Sequence, residues 1–193
     1  FYPPEINEPE INQELILNLL SDLQNAKNPL ILAGGGIWSA RAADQFRSFV
    51  EKVKIPVINS LMAVDVLQFT DPLRIGLIGT YGNRWVNLAV AQSDFLLVLG
   101  SRLDIRQTGS DPESFRGNRK IYHVDCDSSE INNRVTGCIP VLSDLKQFFK
   151  DVFRYSNELR FEERSEWLSE INELRNEWPD TSEIKNIPGI NPN

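Results

Sequence analysis

The run 95–99 (F-L-L-V-L), five apolar residues without polar alternation, constrains the fold of this chain more than any other stretch. A strand that faces water on one side alternates. An unalternated run suits a strand covered on both faces, as in parallel sheets flanked by helices. Gly100 stops the run, and Arg102, Asp104, Arg106 and Gly109 follow in quick succession. In open α/β sheets, ligands bind just beyond the carboxyl ends of the strands. Two guanidinium groups at such an end read as a phosphate clamp, being always charged and able to bind bidentately. The plain alternative is solvated loop charge.

The flanking segments supply the helices and strands such a sheet needs. Leu15, Ile16, Leu19, Leu20 and Leu23 follow helical spacing after Asn12, and Asn28-Pro29 closes that helix. A short strand at 30–33 runs straight into Gly34-Gly35-Gly36. Ser39 is placed to cap a helix with Ala42, Ala43, Phe46, Val50 and Val53 inside, and Pro56 opens a strand at 57–59. This β-α-β unit predicts a right-handed crossover. Residues 60–77 read as a loop, 84–92 as a helix, 100–119 as a long polar loop, and 121–124 as a strand. Asp127-x-x-Glu130 has the form of a capping box for a short helix. Residues 138–142 predict an edge strand, since Pro140 lacks a ladder donor. Ser143 is placed to cap a helix reaching Arg154, and 158–178 predict one more helix with Trp167, Ile171, Leu174 and Trp178 as its packing face. The expected architecture is a Rossmann-like, doubly wound parallel α/β sheet of about six strands with a C-terminal connector helix. The expected organisation is a linker at 1–11, a domain at 12–154, and a connector and linker at 155–193; prolines and glycine in 1–10 and 187–193 suit linkers.

Composition narrows the function. The 193 residues carry a net charge of -7, which argues against nucleic acid or an anionic membrane surface as partner. The excess sits in the tail: residues 155–193 hold 9 acids and 4 bases, against 18 and 16 before them. Cys126 and Cys138 lack metal-ligand spacing and read as buried, inert thiols in a reducing, cytoplasmic setting. The lone His123 lies in an apolar run and reads as a core residue. No nucleophile–base pair and no metal set is present in the pattern. The triple glycine suits close approach of backbone N–H groups to an anion, or simply a tight turn. It continues G-x-G-x-x-S, and the second strand ends at Asn59 rather than an acid, so a nicotinamide dinucleotide is disfavoured. Asp104, Asp125 and Asp127 suit either sugar hydroxyls or turn and cap chemistry. Residues 79–83 suit either a ligand approached backbone-first or a turn. These residues predict a nucleotide pocket without visible chemistry.

Three segments then carry a family resemblance: I-G-T-Y-G-N-R-W-V-N at 78–87, L-V-L-G-S-R-L-D-I-R-Q-T-G at 97–109 and H-V-D-C-D-S-S-E-I at 123–131, all downstream of A-G-G-G at 33–36. In this order and spacing the chain resembles the middle domain of thiamine diphosphate-dependent enzymes, the acetolactate synthase (acetohydroxyacid synthase) branch in particular, over about 12–153. The resemblance implies a six-stranded domain between two catalytic neighbours in a homo-oligomeric parent. There, thiamine diphosphate and Mg²⁺ belong to the neighbours, the substrate is a 2-oxo acid, and the chemistry is decarboxylation followed by carboligation or protonation. The last domain's Gly-Asp-Gly motif is not found in this sequence, so no catalytic or metal-binding residue is expected here. The resemblance further implies FAD in this domain, structural rather than redox-active, while other branches hold ADP or nothing. Its contacts would fall on Gly35, Ser60, Leu61, Ile78, Gly79, Thr80, Tyr81, Gly100, Ser101, Arg102, Asp104, Arg106, Asp125, Cys126, Asp144 and Leu145. Ile105 replaces a second acid, Tyr81 a common histidine and Cys126 a usual isoleucine. The parent reaction is thereby left open to a related decarboxylase or lyase. Two other readings stand beside this one: a structural or oligomerisation module with an empty pocket, and an FAD carrier like the electron-transfer flavoproteins.

Overall fold

The computed structural model describes residues 11–180; the predicted linker segments 1–10 and 187–193 lie outside them. Six parallel strands form one sheet in the order β3-β2-β1-β4-β5-β6. They are β1 (Pro29–Ala33), β2 (Val57–Asn59), β3 (Arg74–Leu77), β4 (Phe95–Leu99), β5 (Lys120–Asp125) and β6 (Ile139–Leu142). The unalternated run is β4, buried along its whole length between β1 and β5. The chain order reverses between β1 and β4, which makes their carboxyl ends the switch point of the sheet.

Helices cover both faces, as the absence of alternation requires. One face is packed by α1 (Gln13–Asn25), α3 (Ala43–Val53) and α7 (Leu145–Ser156), through Ile16, Leu20, Phe46, Phe49, Phe148 and Phe149. The other is packed by α4 (Arg84–Gln92) and α8 (Ser165–Glu177), through Trp85, Val86, Val90, Trp167 and Ile171. Short helices α2 (Gly36–Ser39), α5 (Ile105–Thr108) and α6 (Pro112–Arg116) lie in the connections. Three of the four predicted packing residues of α8 pack, Trp167 and Ile171 buried with Leu174 beside them, but Trp178 is corrected: it is the C-cap past the helix and stays exposed. The Trp167 indole N–H donates to Pro29 O at 3.1 Å, pinning the helix to the start of β1. Beyond it, the Asp180 carboxylate accepts from Arg84 N–H at 3.0 Å and from the Asn83 amide. It thus caps α4, whose own N-cap residue Asn83 makes no side-chain cap bond.

Several boundary expectations are corrected. Ser39 does not cap α3: it ends α2, its hydroxyl donates to Gly35 O, and Arg41 turns the chain at φ 54° before α3 starts behind Ala42. The 60–77 loop contains β3, whose four residues include Gly76 at φ 145° and whose pairing shifts register against β2, so no clean alternation marks it. The 100–119 loop contains α5 and α6, each capped by an aspartate, Asp104 or Asp111. Asp127 opens a turn rather than a helix, accepting from Ser129 N–H and hydroxyl at 2.8 and 2.6 Å. Asp144, not Ser143, caps α7, accepting from Lys146 N–H at 2.7 Å. The last helix starts at Ser165 rather than 158, because Arg164 leaves helical backbone geometry. Its guanidinium instead ties this segment to the carbonyls of Leu23, Gln24 and Ala26 at the end of α1.

Candidate nucleotide crevice

The switch point is built by close backbone approach. Gly34 N–H donates to Leu99 O and Gly36 N–H to Gly100 O, both at 2.9 Å. A Cβ on Gly34 would sit 2.1 Å from Gly100 O, and one on Gly36 would sit 2.7 Å from the Gly100 Cα. Gly100 itself needs φ 61°. Two of the three glycines thus bring the loops after β1 and β4 together. Gly35, between them, donates its N–H to no backbone carbonyl among the described residues. Leu103 is held at φ 52° although buried, so the β4 loop carries local strain.

All of the candidate positions gather along this carboxyl edge. Gly35 follows β1, while Ser60 and Leu61 follow β2. Ile78, Gly79, Thr80 and Tyr81 follow β3. The stretch from Gly100 and Ser101 to Arg106 follows β4; Asp125 ends β5 and Cys126 follows it; Asp144 and Leu145 follow β6. The loops are cross-tied: Thr80 N–H donates to Arg106 O at 2.8 Å, linking the β3 and β4 ends. The Asn87 side chain closes a two-way bond with Gly79, accepting at 2.9 Å and donating at 3.0 Å. Ser101 hydroxyl donates to Gln107 Oε1 at 2.7 Å, and the His123 ring Nε2 lies 2.8 Å from Ser101 O. Asn87, Gln107 and His123 were not among the sequence candidates. All three lie inside the segments 78–87, 97–109 and 123–131 that carry the resemblance, which is the signal that could have found them.

The charged candidates divide. Asp104 accepts from Arg106 N–H at 2.7 Å and Asp125 from Asp127 N–H at 3.0 Å, so both do turn or cap work. The Arg102 side chain is mostly exposed and stands 3.8 Å from Glu130; Arg106 is exposed. Cys138 is a buried thiol, pushed up to about 11 by burial, whereas Cys126 is exposed, correcting the expectation of two buried thiols: it lies past the end of β5, above the sheet. His123 is a core residue as expected, and burial lowers its affinity for a proton. Ser60 is buried, and its hydroxyl has no partner among the described residues. A buried hydroxyl left without a partner is uncommon and is the one unsatisfied polar group among the candidate positions. Leu61, Met62, Tyr81 and Ile105, on the connections after β2, β3 and β4, stand exposed.

A family model described as "Thiamine pyrophosphate enzyme, central domain" matches residues 16–152. The chain belongs to that family. This thiamine pyrophosphate enzyme central domain is similar to the acetolactate synthase large subunit of Lactococcus lactis, at 33% identity over 193 residues, 94% of this chain and 33% of the relative. It is also similar to the probable acetolactate synthase large subunit of Methanocaldococcus jannaschii, at 34% over 153 residues, 79% of this chain and 26% of the relative. The acetolactate synthase isozyme 1 large subunit of Escherichia coli is 30% identical over 171 residues, 89% of this chain and 29% of its own. The central domain described here thus spans about a third of the length of the curated relatives it matches. Among its described residues no helix is long and apolar enough to cross a membrane, and no three His, Cys, Asp or Glu side chains gather as a metal site would require.

Proposed function

We propose that this domain holds an adenine nucleotide, FAD in first place, at the β1–β4 switch point, within a thiamine diphosphate-dependent enzyme acting on a 2-oxo acid. The observation that carries the reading is the convergence of every candidate position on one carboxyl edge, around the open Gly35 N–H and the orphaned Ser60 hydroxyl. Gly35, Ser101, Arg102 and Arg106 are the residues for the diphosphate. Asp125, Cys126, Asp144 and Leu145, at the β5 and β6 ends, suit one half of the ligand; Ser60, Leu61 and the segment from Ile78 through Gly79 and Thr80 to Tyr81 suit the other. FAD would act here as a structural group, leaving the thiamine chemistry, its Mg²⁺ and the substrate to flanking domains of a cytoplasmic, homo-oligomeric parent.

Equilibrium dialysis of FAD, with ADP as competitor, tests this. Saturable FAD binding that ADP displaces is expected. Arg102→Ala with Arg106→Ala should weaken it by roughly 100-fold or more, since each charge-assisted hydrogen bond contributes about 1.5–3 kcal/mol. Equal affinity in the double variant overturns the clamp. No binding of either nucleotide favours the bracing reading, which the exposed Leu61, Met62, Tyr81 and Ile105 support. Electron transfer from a dehydrogenase to a bound flavin would instead favour the carrier reading.

A further inference from the structure

A second concavity lies on the α4 side of the sheet. It is a groove of about 500 Å³ between α4 and the α5–α6 segment, and it adjoins the crevice at Ile78, Gly79 and Thr80 and at the cross-tying Asn87 and Gln107. Its walls are apolar where Val90 and Ala91 of α4 face Phe115. Its polar groups are largely engaged within the protein. Asn87 is bonded to Gly79 in both directions. The Thr108 hydroxyl donates to Asp104 O at 3.0 Å and accepts from Arg134 Nε at 2.9 Å. The Asp111 carboxylate accepts from Glu113 N–H, Ser114 N–H and the Ser114 hydroxyl, which hold it below the usual carboxylate range.

Arg119 is different. It lines the groove and is only 8% exposed, and its Nε and Nη1, themselves enclosed by the protein, have no hydrogen-bond partner among the described residues. The Phe115 ring centre lies 5.4 Å from its guanidinium carbon. A buried cation left unpaired is costly, and pairing it recovers much of that cost. Burial pulls Arg119 down to about 10, so it keeps its charge at neutral pH.

We propose that this groove is a second ligand site, taking a small organic carboxylate with an apolar body whose carboxylate pairs with Arg119. The volume lies in the range of small-molecule pockets. The apolar body fits against Val90, Ala91 and Phe115. A monoanion matches one guanidinium, whereas a dianionic phosphate ester would also meet the Asp111 carboxylate on the same wall. The site shares Ile78, Gly79 and Thr80 with the nucleotide reading but not the glycine turn or Ser60, and its anion partner, Arg119, takes no part in that reading.

Phenylacetate serves as probe, with phenylacetamide as its neutral counterpart and sulfate as a bare anion. The readout is the Arg119 side-chain Nε–H resonance of the 193-residue chain. A saturable shift with phenylacetate, and none with phenylacetamide or sulfate, is expected. Arg119→Met should weaken phenylacetate binding at least tenfold, read by competition dialysis. Ala91→Phe, which fills the groove from an exposed position on α4, should weaken it as much and leaves Arg119 intact, so it decides the matter if Arg119→Met does not fold. FAD retention should be unchanged in Ala91→Phe, and its loss in the Arg102→Ala, Arg106→Ala variant should leave phenylacetate binding intact. Affinity unaltered by Ala91→Phe, no saturable shift at millimolar phenylacetate, or an equal shift with sulfate overturns the proposal.

Discussion

Gly34 and Gly36 illustrate how one residue type serves two purposes that a sequence cannot separate. The tight turn after β1 is legible from three glycines between a strand and a helix. That two of them are required by Gly100, sixty-odd positions away, is not, because the constraint is a backbone contact between loops. The aspartates show both sides of their sequence reading: one oxygen of Asp104 and one of Asp125 accept a nearby N–H, as turn and cap chemistry requires. His123 carries the prediction at this scale. Burial lowers its folded-state pKa below the unfolded value of about 6.5, so the unfolded chain binds the extra proton. Its contribution to stability is therefore complete above pH 6.5 and is lost as pH falls below it. The sequence has one histidine, and Asp111 and Asp127, both lowered, act only near and below 3.8. Urea unfolding between pH 7 and 5 should thus show stability falling by up to about 1.4 kcal/mol per pH unit. His123→Gln should flatten that slope.

Among the elements, those with a strong period were read well, and those shaped by distant partners were not. The β4 run and the α4 helix stand where their sequences predict, because burial on both faces and a 3.6-residue stripe leave their marks locally. The third strand escaped notice because Gly76 and a register shift erase its pattern. The start of α8 was misplaced because Arg164 is recruited by carbonyls of α1. Helix α8 is itself held by one large side chain, Trp167, 2% exposed and hydrogen-bonded to β1. Trp167→Ala should lower global stability by about 3–5 kcal/mol, measured by denaturant midpoint. Hydrogen exchange should report α8 and the head of α4 opening together; protection of α4 unchanged would refute their coupling.

At the scale of the whole molecule, the doubly wound parallel class followed from alternating strands and helices, whereas the strand order came only from the structure. So did the groove beside Arg119, since Val90, Phe115 and Arg119 come from three segments whose neighbourhood only folding creates. If the crevice takes FAD, folding and binding are linked. FAD at a hundred times its dissociation constant should add about 2.7 kcal/mol to unfolding, seen as a rise in the thermal midpoint, and ADP should do the same at concentrations scaled to its own affinity. A midpoint indifferent to both nucleotides would leave the domain as a brace.

The reach of Asp180 across to α4 has a mechanical consequence. Asn83, which it grips, also exchanges two hydrogen bonds with Leu77, giving at 2.8 Å and receiving at 2.8 Å. Asn83 therefore bridges Asp180, three residues past the end of α8, to Leu77 at the tip of β3. A load borne by Asp180 would fall first on Asn83 and, through its two bonds to Leu77, on the end of β3 just ahead of Gly79 and Thr80.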